Sequence, residues 1–236
     1  MSDPAGMLLS VRGEARQVVP PDSATMTATV EVTRGSKAEA VRTAAANTDC
    51  LTADLAAHGG VPLQAGTERH PLTWSAQSAT TYPERTLDKK AGIHELTGRV
   101  TAVVDVMISV RAFDLLDPLG AALTGHETVS VRQVSWHVDW DNPGWPEVRA
   151  AAIRAAIGKG RDYAAALGGT LRAVEHVADA GLLGGESAQG WFAAGAVARA
   201  GHAGGESDPP SLDPVPQELT AIIEARFRAD GASLTL

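Results

Sequence analysis

The densest group of residues able to do chemistry is His137-Val138-Asp139-Trp140-Asp141. In an extended strand the side chains alternate, so His137, Asp139 and Asp141 would point to one side. An imidazole and two carboxylates on one face can hold a divalent metal or share a proton. With Trp136 and Trp140 beside them, they also suit a small-molecule pocket in which an indole stacks on the ligand. The plainer reading is a strand end running into a turn near Pro143, with Asp139 or Asp141 capping the next helix. A second group is apolar. Trp191 and Phe192 adjoin in a stretch rich in Gly, Ala and Ser, which offers little local core. Exposed apolar neighbours of this kind mark contact surfaces. The alternative is that the stretch folds back and covers them.

The other motifs of catalysis are missing. Gly158-Lys159-Gly160 lies within a helical pattern and lacks the loop of a phosphate cradle. No G-x-S-x-G occurs, and the histidines form no H-E-x-x-H. The single cysteine, Cys50, excludes an internal disulfide and a Cys-rich zinc site. It reads as a reduced, buried small residue. No catalytic residue, cofactor or metal is therefore assigned, and the chain reads as non-enzymatic. Its 28 acidic against 20 basic residues argue against a partner held by phosphate contacts. No apolar stretch approaches the length of a membrane span. The opening MSDPAGMLLS is acidic and its apolar run is only Met7-Leu8-Leu9, so no export signal is read and a cytoplasmic location is expected.

These residues need elements to position them. Residues 7–18 read as a strand and 24–33 as a second, with Ala24, Met26, Ala28, Val30 and Val32 on one face. Pro20-Pro21-Asp22 between them suggests a hairpin. Ser36 with Glu39 opens a helix in the manner of a capping box. Val41, Ala44, Thr48, Leu51 and Leu55 form its stripe, and Gly59-Gly60 ends it. A weak strand follows over 67–78, then a polar loop over 79–91. From Ile93 strict alternation through Leu96, Val100, Val104 and Ile108 predicts one long strand that bends at Gly98.

A short helix over 112–124 contains Asp117-Pro118, which either starts it or kinks it. The strand over 128–138 changes phase, so a bulge is expected near Arg132-Gln133. A helix from Pro146 to Leu167 carries the stripe Ile153, Ile157, Gly160, Ala164 and Leu167, thin enough to lie close on a sheet. Strands over 170–182 and 216–229 close the chain. Residues 184–214 read as a Gly/Ala/Pro-rich insertion. The order ββαββαβαββ predicts an α+β fold in one domain over residues 1–236. A mostly antiparallel sheet would be covered on one face by the two long helices and the short one.

In that order, several stretches resemble the SIMPL-domain family, a group largely of unknown function. VRGEARQVVPPDSATMTATVEV is similar to the family's opening strands. The helix from Ala38 to Leu55 with Gly59-Gly60-Val61 fits the next segment. Gly92-Ile93 with the long strand and Phe113-Asp114-Leu115-Leu116 fits the middle. RAAAIRAAIGKGRDYAAALGGTLRAVEHV and PQELTAIIEARFRA resemble its late helix and closing strands. Some bacterial members are described as oxidative-stress defence or periplasmic immunogenic proteins. The resemblance implies a link to stress response, and it supplies no catalytic residues. The empty motif search, the edges of an antiparallel sheet and the Trp191-Phe192 pair point to a non-enzymatic binding or scaffold protein that forms a homo-oligomer. Many members begin with an export signal, which is not read here.

Overall fold

The computed structural model describes residues 6–88, 93–183 and 212–230. The protein is α+β, with nine strands and three α-helices among the described residues. The chain divides into two compact units. The single sheet expected from the sequence is two sheets, and each long helix belongs to a different one.

The first unit contains β1 (Met7–Val19), α3 (Gly144–Ala166), β8 (Leu171–Asp179) and β9 (Gln217–Ala229). Its sheet has the order β1-β9-β8, with both pairings antiparallel. Alternation along β9 buries Leu219, Ala221, Ile223, Ala225, Phe227 and Ala229 on one face, as its sequence predicts. The helix α3 packs on β1 and β9 and barely touches β8. Its buried stripe is Val148, Ala152, Ala156, Gly160 and Ala164, not the one built on Ile153 and Ile157. The reason is steric. A Cβ on Gly13 of β1 would lie 2.0 Å from the Ala152 carbonyl oxygen, and one on Gly160 would lie 3.0 Å from the Phe227 ring. Only the smallest side chains fit where helix and strand come so close, so the isoleucines are turned aside.

The second unit contains β2 (Ser23–Arg34), α1 (Lys37–Ala57), β3 (Val61–Pro62), β4 (Leu72–Ala76), β5 (Thr80–Asp88), β6 (Ile93–Val110), α2 (Leu116–Thr124) and β7 (Val129–His137). Its sheet runs β3-β4-β6-β2-β7, and β5 also pairs with β6. The buried face is formed by Met26, Ala28, Val30 and Val32 of β2 with Ala102, Val104, Val106, Ile108 and Val110 of β6. Over it lies α1, which buries Ala40, Ala44, Thr48, Leu51 and Leu55. Ser36 caps α1 by accepting a hydrogen bond from the Glu39 amide at 3.3 Å.

Several expectations need correction. The strands β1 and β2 do not form a hairpin; β1 pairs with β9, and β2 lies between β6 and β7. Pro20 and Pro21 lack the amide hydrogens that a tight hairpin turn would place in the ladder. The loop expected over 79–91 contains β5, so the order ββαββαβαββ lacks that strand and the two-residue β3. Leu96 belongs to the alternating run but is 64% exposed, because that half of β6 meets only β5. Cys50 is exposed on α1 rather than buried. Pro118 lies in the first turn of α2, which begins one residue before Asp117, so no kink is required. Gly98 has φ +78° inside β6, where the β5 register shifts. The bulge in β7 falls at Arg132, since Thr27 faces Gln133 and Ala28 faces Val131. Among the described residues no helix is long and apolar enough to cross a membrane.

The close approach at Gly13 gives the first prediction. Gly13→Ala will destabilise the protein by about 2–3 kcal/mol, because α3 must shift to admit one methyl group. Gly158→Ala, where a Cβ meets nothing within 4 Å, will instead stabilise it by about 0.5–1 kcal/mol. Urea unfolding of the two variants beside the native protein checks both signs.

Candidate functional site

The stretch that the sequence marks for chemistry spans both units. The division of the chain falls between Asp139 and Trp140. Trp136 packs edge-on against Phe113, with centroids 5.6 Å apart and planes at 83°, and joins the core. His137 is exposed, its Nε2 2.7 Å from the Thr25 hydroxyl. Asp139 follows the end of β7 and accepts a hydrogen bond from Arg111 Nη2 at 2.5 Å. Its amide donates to Asp22 Oδ2 at 2.8 Å, while the Asp22 amide donates to the His137 carbonyl. Asp139 therefore ties the exit of β7 to the end of β6 and to the start of β2. Trp140 is 83% exposed, and the Arg149 guanidinium lies 5.3 Å from the Trp145 ring. At the start of α3, Asn142 Oδ1 accepts from the Gly144 amide at 2.8 Å. Trp191 and Phe192 lie outside the described residues.

Two other features do stand out. In the second unit α1 covers β6 and β2 and leaves the buried face of the edge strand β7 to α2. A cavity of about 730 Å³ results. Met26, Leu123, Val129, Val131 and Leu212 line its apolar part. Asp117, Glu127 and Asp213 stand exposed around it, and no lysine or arginine is among the lining residues. His126 also lines it, with Nε2 held 2.7 Å from Asp54 Oδ2 on α1. Asn47 donates to the Thr128 hydroxyl at 2.9 Å, so α1 fixes the turn between α2 and β7 at two points. Carboxylates around an apolar hollow suit a ligand with a positive head and an apolar body.

The second feature is the edge strand β8 in the first unit. Opposite residues of an antiparallel pair share a face. Val174 faces Phe227 and Val177 faces Ala225, so both valines lie on the face that α3 covers elsewhere. They remain 55% and 44% exposed. Lys159 of α3 donates to the Arg12 carbonyl on β1 at 2.9 Å. The opposite flank of the helix, with Ile153 and Ile157, is thereby turned toward the β8 side. Charged groups along β8 are tied back to β9 and its end. Arg172 donates to Asp230 at 2.5 Å, and Arg228 is bonded to Glu175. Asp230 is held below the usual carboxylate range by its hydrogen bond from Arg172, then by that from Thr170.

Sequence reasoning did not find either feature. The β8 stretch carried a signal, since Arg172-Ala173-Val174-Glu175 mirrors His176-Val177-Ala178-Asp179 with the charges exchanged. The cavity carried none, because its lining comes from three separate stretches of chain.

Two sheets, each packed by one long helix, define an α+β protein. The chain belongs to the SIMPL family, described as a protein of unknown function (DUF541), whose pattern matches residues 9–227. No curated protein matches the sequence.

The Asp139 tie predicts a structural effect. The side chains of Arg111 and Asp139 are about one-fifth exposed. Asp139→Ala will lower unfolding stability by about 1.5–3 kcal/mol, the range for a hydrogen bond to a charged group. Asp162→Ala, at an exposed position of α3, will cost less than about 0.5 kcal/mol. Chemical denaturation of the two variants checks the ranking.

Proposed function

We propose that this protein is a non-enzymatic SIMPL-domain scaffold that binds a second copy of itself along β8. The observation that carries the reading is the self-complementary edge. In a two-fold antiparallel pair centred between Glu175 and His176, Val174 meets Val177 and Ala173 meets Ala178 of the other copy. Glu175 then meets His176, an acid opposite a base.

The faces agree with this register. A regular strand would put Glu175 and His176 on opposite faces, and no two-fold pair could set them side by side. The register shift between Val174 and His176 inserts Glu175 as an extra residue. It lets Val174 and Val177, three positions apart, occupy one face. Among the described residues β8 pairs only with β9, so its outer edge is open to a further strand. Joining two copies would turn two three-stranded sheets into one of six strands. It would also bring each exposed valine pair beneath a continuous face, and burial of apolar area drives such association. The link to stress response rests on the family resemblance and adds no residue to this surface.

Light scattering on a sizing column, at tens of micromolar, tests the reading. The native protein should run as a dimer or a higher even assembly. Val174→Lys with Val177→Lys should give a monomer whose circular dichroism is unchanged, since both positions are exposed within one copy. At pH 6, His176→Glu should weaken association about tenfold by setting acids opposite each other. Glu175→His with His176→Glu should restore it. A native protein that is strictly monomeric, or a valine double variant that associates as before, overturns the proposal.

A further inference from the structure

We infer that the cavity between α2 and β7 is a binding site for an organic cation with an apolar body, of the alkylammonium class. This goes beyond self-association through β8, and it rests on different residues in the other unit.

Three observations carry it. The first is space. About 730 Å³ lies within the range of small-molecule sites, far more than a bare metal ion needs. The second is the floor. Met26 and Leu123 are almost fully buried, and Val129, Val131 and Leu212 pack against the same core. A fully hydrated or wholly polar ligand gains nothing from such a surface, whereas an alkyl or aryl body does. Leu212 is fixed there by α2, since a Cβ on Gly120 would come within 3.1 Å of its Cδ1. The third is charge. The lining residues include carboxylates but no lysine or arginine. Asp117 and Glu127 make no ion pair among the described residues. The one basic group in the lining, His126, is already held by Asp54.

The geometry orders these parts. Asp117 lies in the first turn of α2 and Glu127 in the turn after it, so acids stand at both ends of the helix that walls the cavity. A ligand with its apolar body against Val129 and Val131 would keep its cationic head near solvent, beside one of these carboxylates. An anion of the same shape meets repulsion there. The site therefore discriminates by sign as well as by shape.

Isothermal titration of the full chain tests this with decyltrimethylammonium, decyl sulfate and decanol, each well below micelle formation. Decyltrimethylammonium should bind at one site per chain, and decyl sulfate at least about tenfold more weakly. Asp117→Asn with Glu127→Gln, both at exposed positions, should weaken the cation about tenfold and leave decanol unchanged. Ala121→Trp, an exposed lining residue on α2, should abolish binding of all the probes, with melting unaltered. Equal affinity for the two ionic probes overturns the inference. So does the absence of cation binding, or undiminished cation binding by the Ala121→Trp protein.

Discussion

The close contact between α3 and β1 sets much of what the first unit can do. Gly13 leaves room for the backbone of α3 at Ala152 and Ala156, and Gly160 leaves room for the Phe227 ring. A helix this near its sheet must present alanine and glycine, so the burial that holds it is spread thinly over many small contacts. It must also sit where those glycines are, over β1 and β9. The third strand is then left beyond its reach. The exposure of Val174 and Val177 is a consequence of that placement rather than a separate feature of β8.

The second unit meets a similar constraint with different side chains. Its helix α1 uses leucines as well as alanines, and it lies over the two strands with the deepest valine and isoleucine faces, β2 and β6. One α-helix with its side chains is about as wide as two strands. A sheet of more strands therefore keeps an uncovered margin unless another element fills it. Here α2 and Leu212 wall the margin at β7 without filling it, and the cavity is what remains. The ties from Asp54 to His126 and from Asn47 to Thr128 hold α1 to the rim, so the hollow is framed by the elements that build the core.

The sequence disclosed those parts of the fold in which burial leaves a period. Alternation located β2 and β9, the Ser36 cap located the start of α1, and the phase change in β7 located the bulge at Arg132. Where burial is absent, the signal is absent too. The strand β5 is exposed along most of its length and is held by ladder bonds to β6 and by polar links such as Tyr82 to Glu31 at 3.0 Å. Nothing apolar alternates there, and Pro83 argues for a loop. The stripe on α3 misled for a related reason. Hydrophobicity pointed to Ile153 and Ile157, but space, not hydrophobicity, decides which face meets a sheet at such short range. His137 and Asp139 were visible as chemically able residues, and the structure spends Asp139 on holding strand ends together.

The surfaces proposed for binding were hidden by the same logic. Periodicity reports what one chain buries within itself, whereas an edge strand and an open hollow are defined by what the chain leaves uncovered. The mirrored run in β8 is legible only when the strand is read against a reversed copy of itself. Even then the alternation of a regular strand would forbid the register. The extra residue at Glu175 removes that obstacle, because it returns Val174 and Val177 to one face. A bulge at an edge commonly spoils pairing with other strands. Under the proposed pairing, the edge is poorly matched to an ordinary strand and better matched to one carrying the same bulge, as a second copy of this chain would.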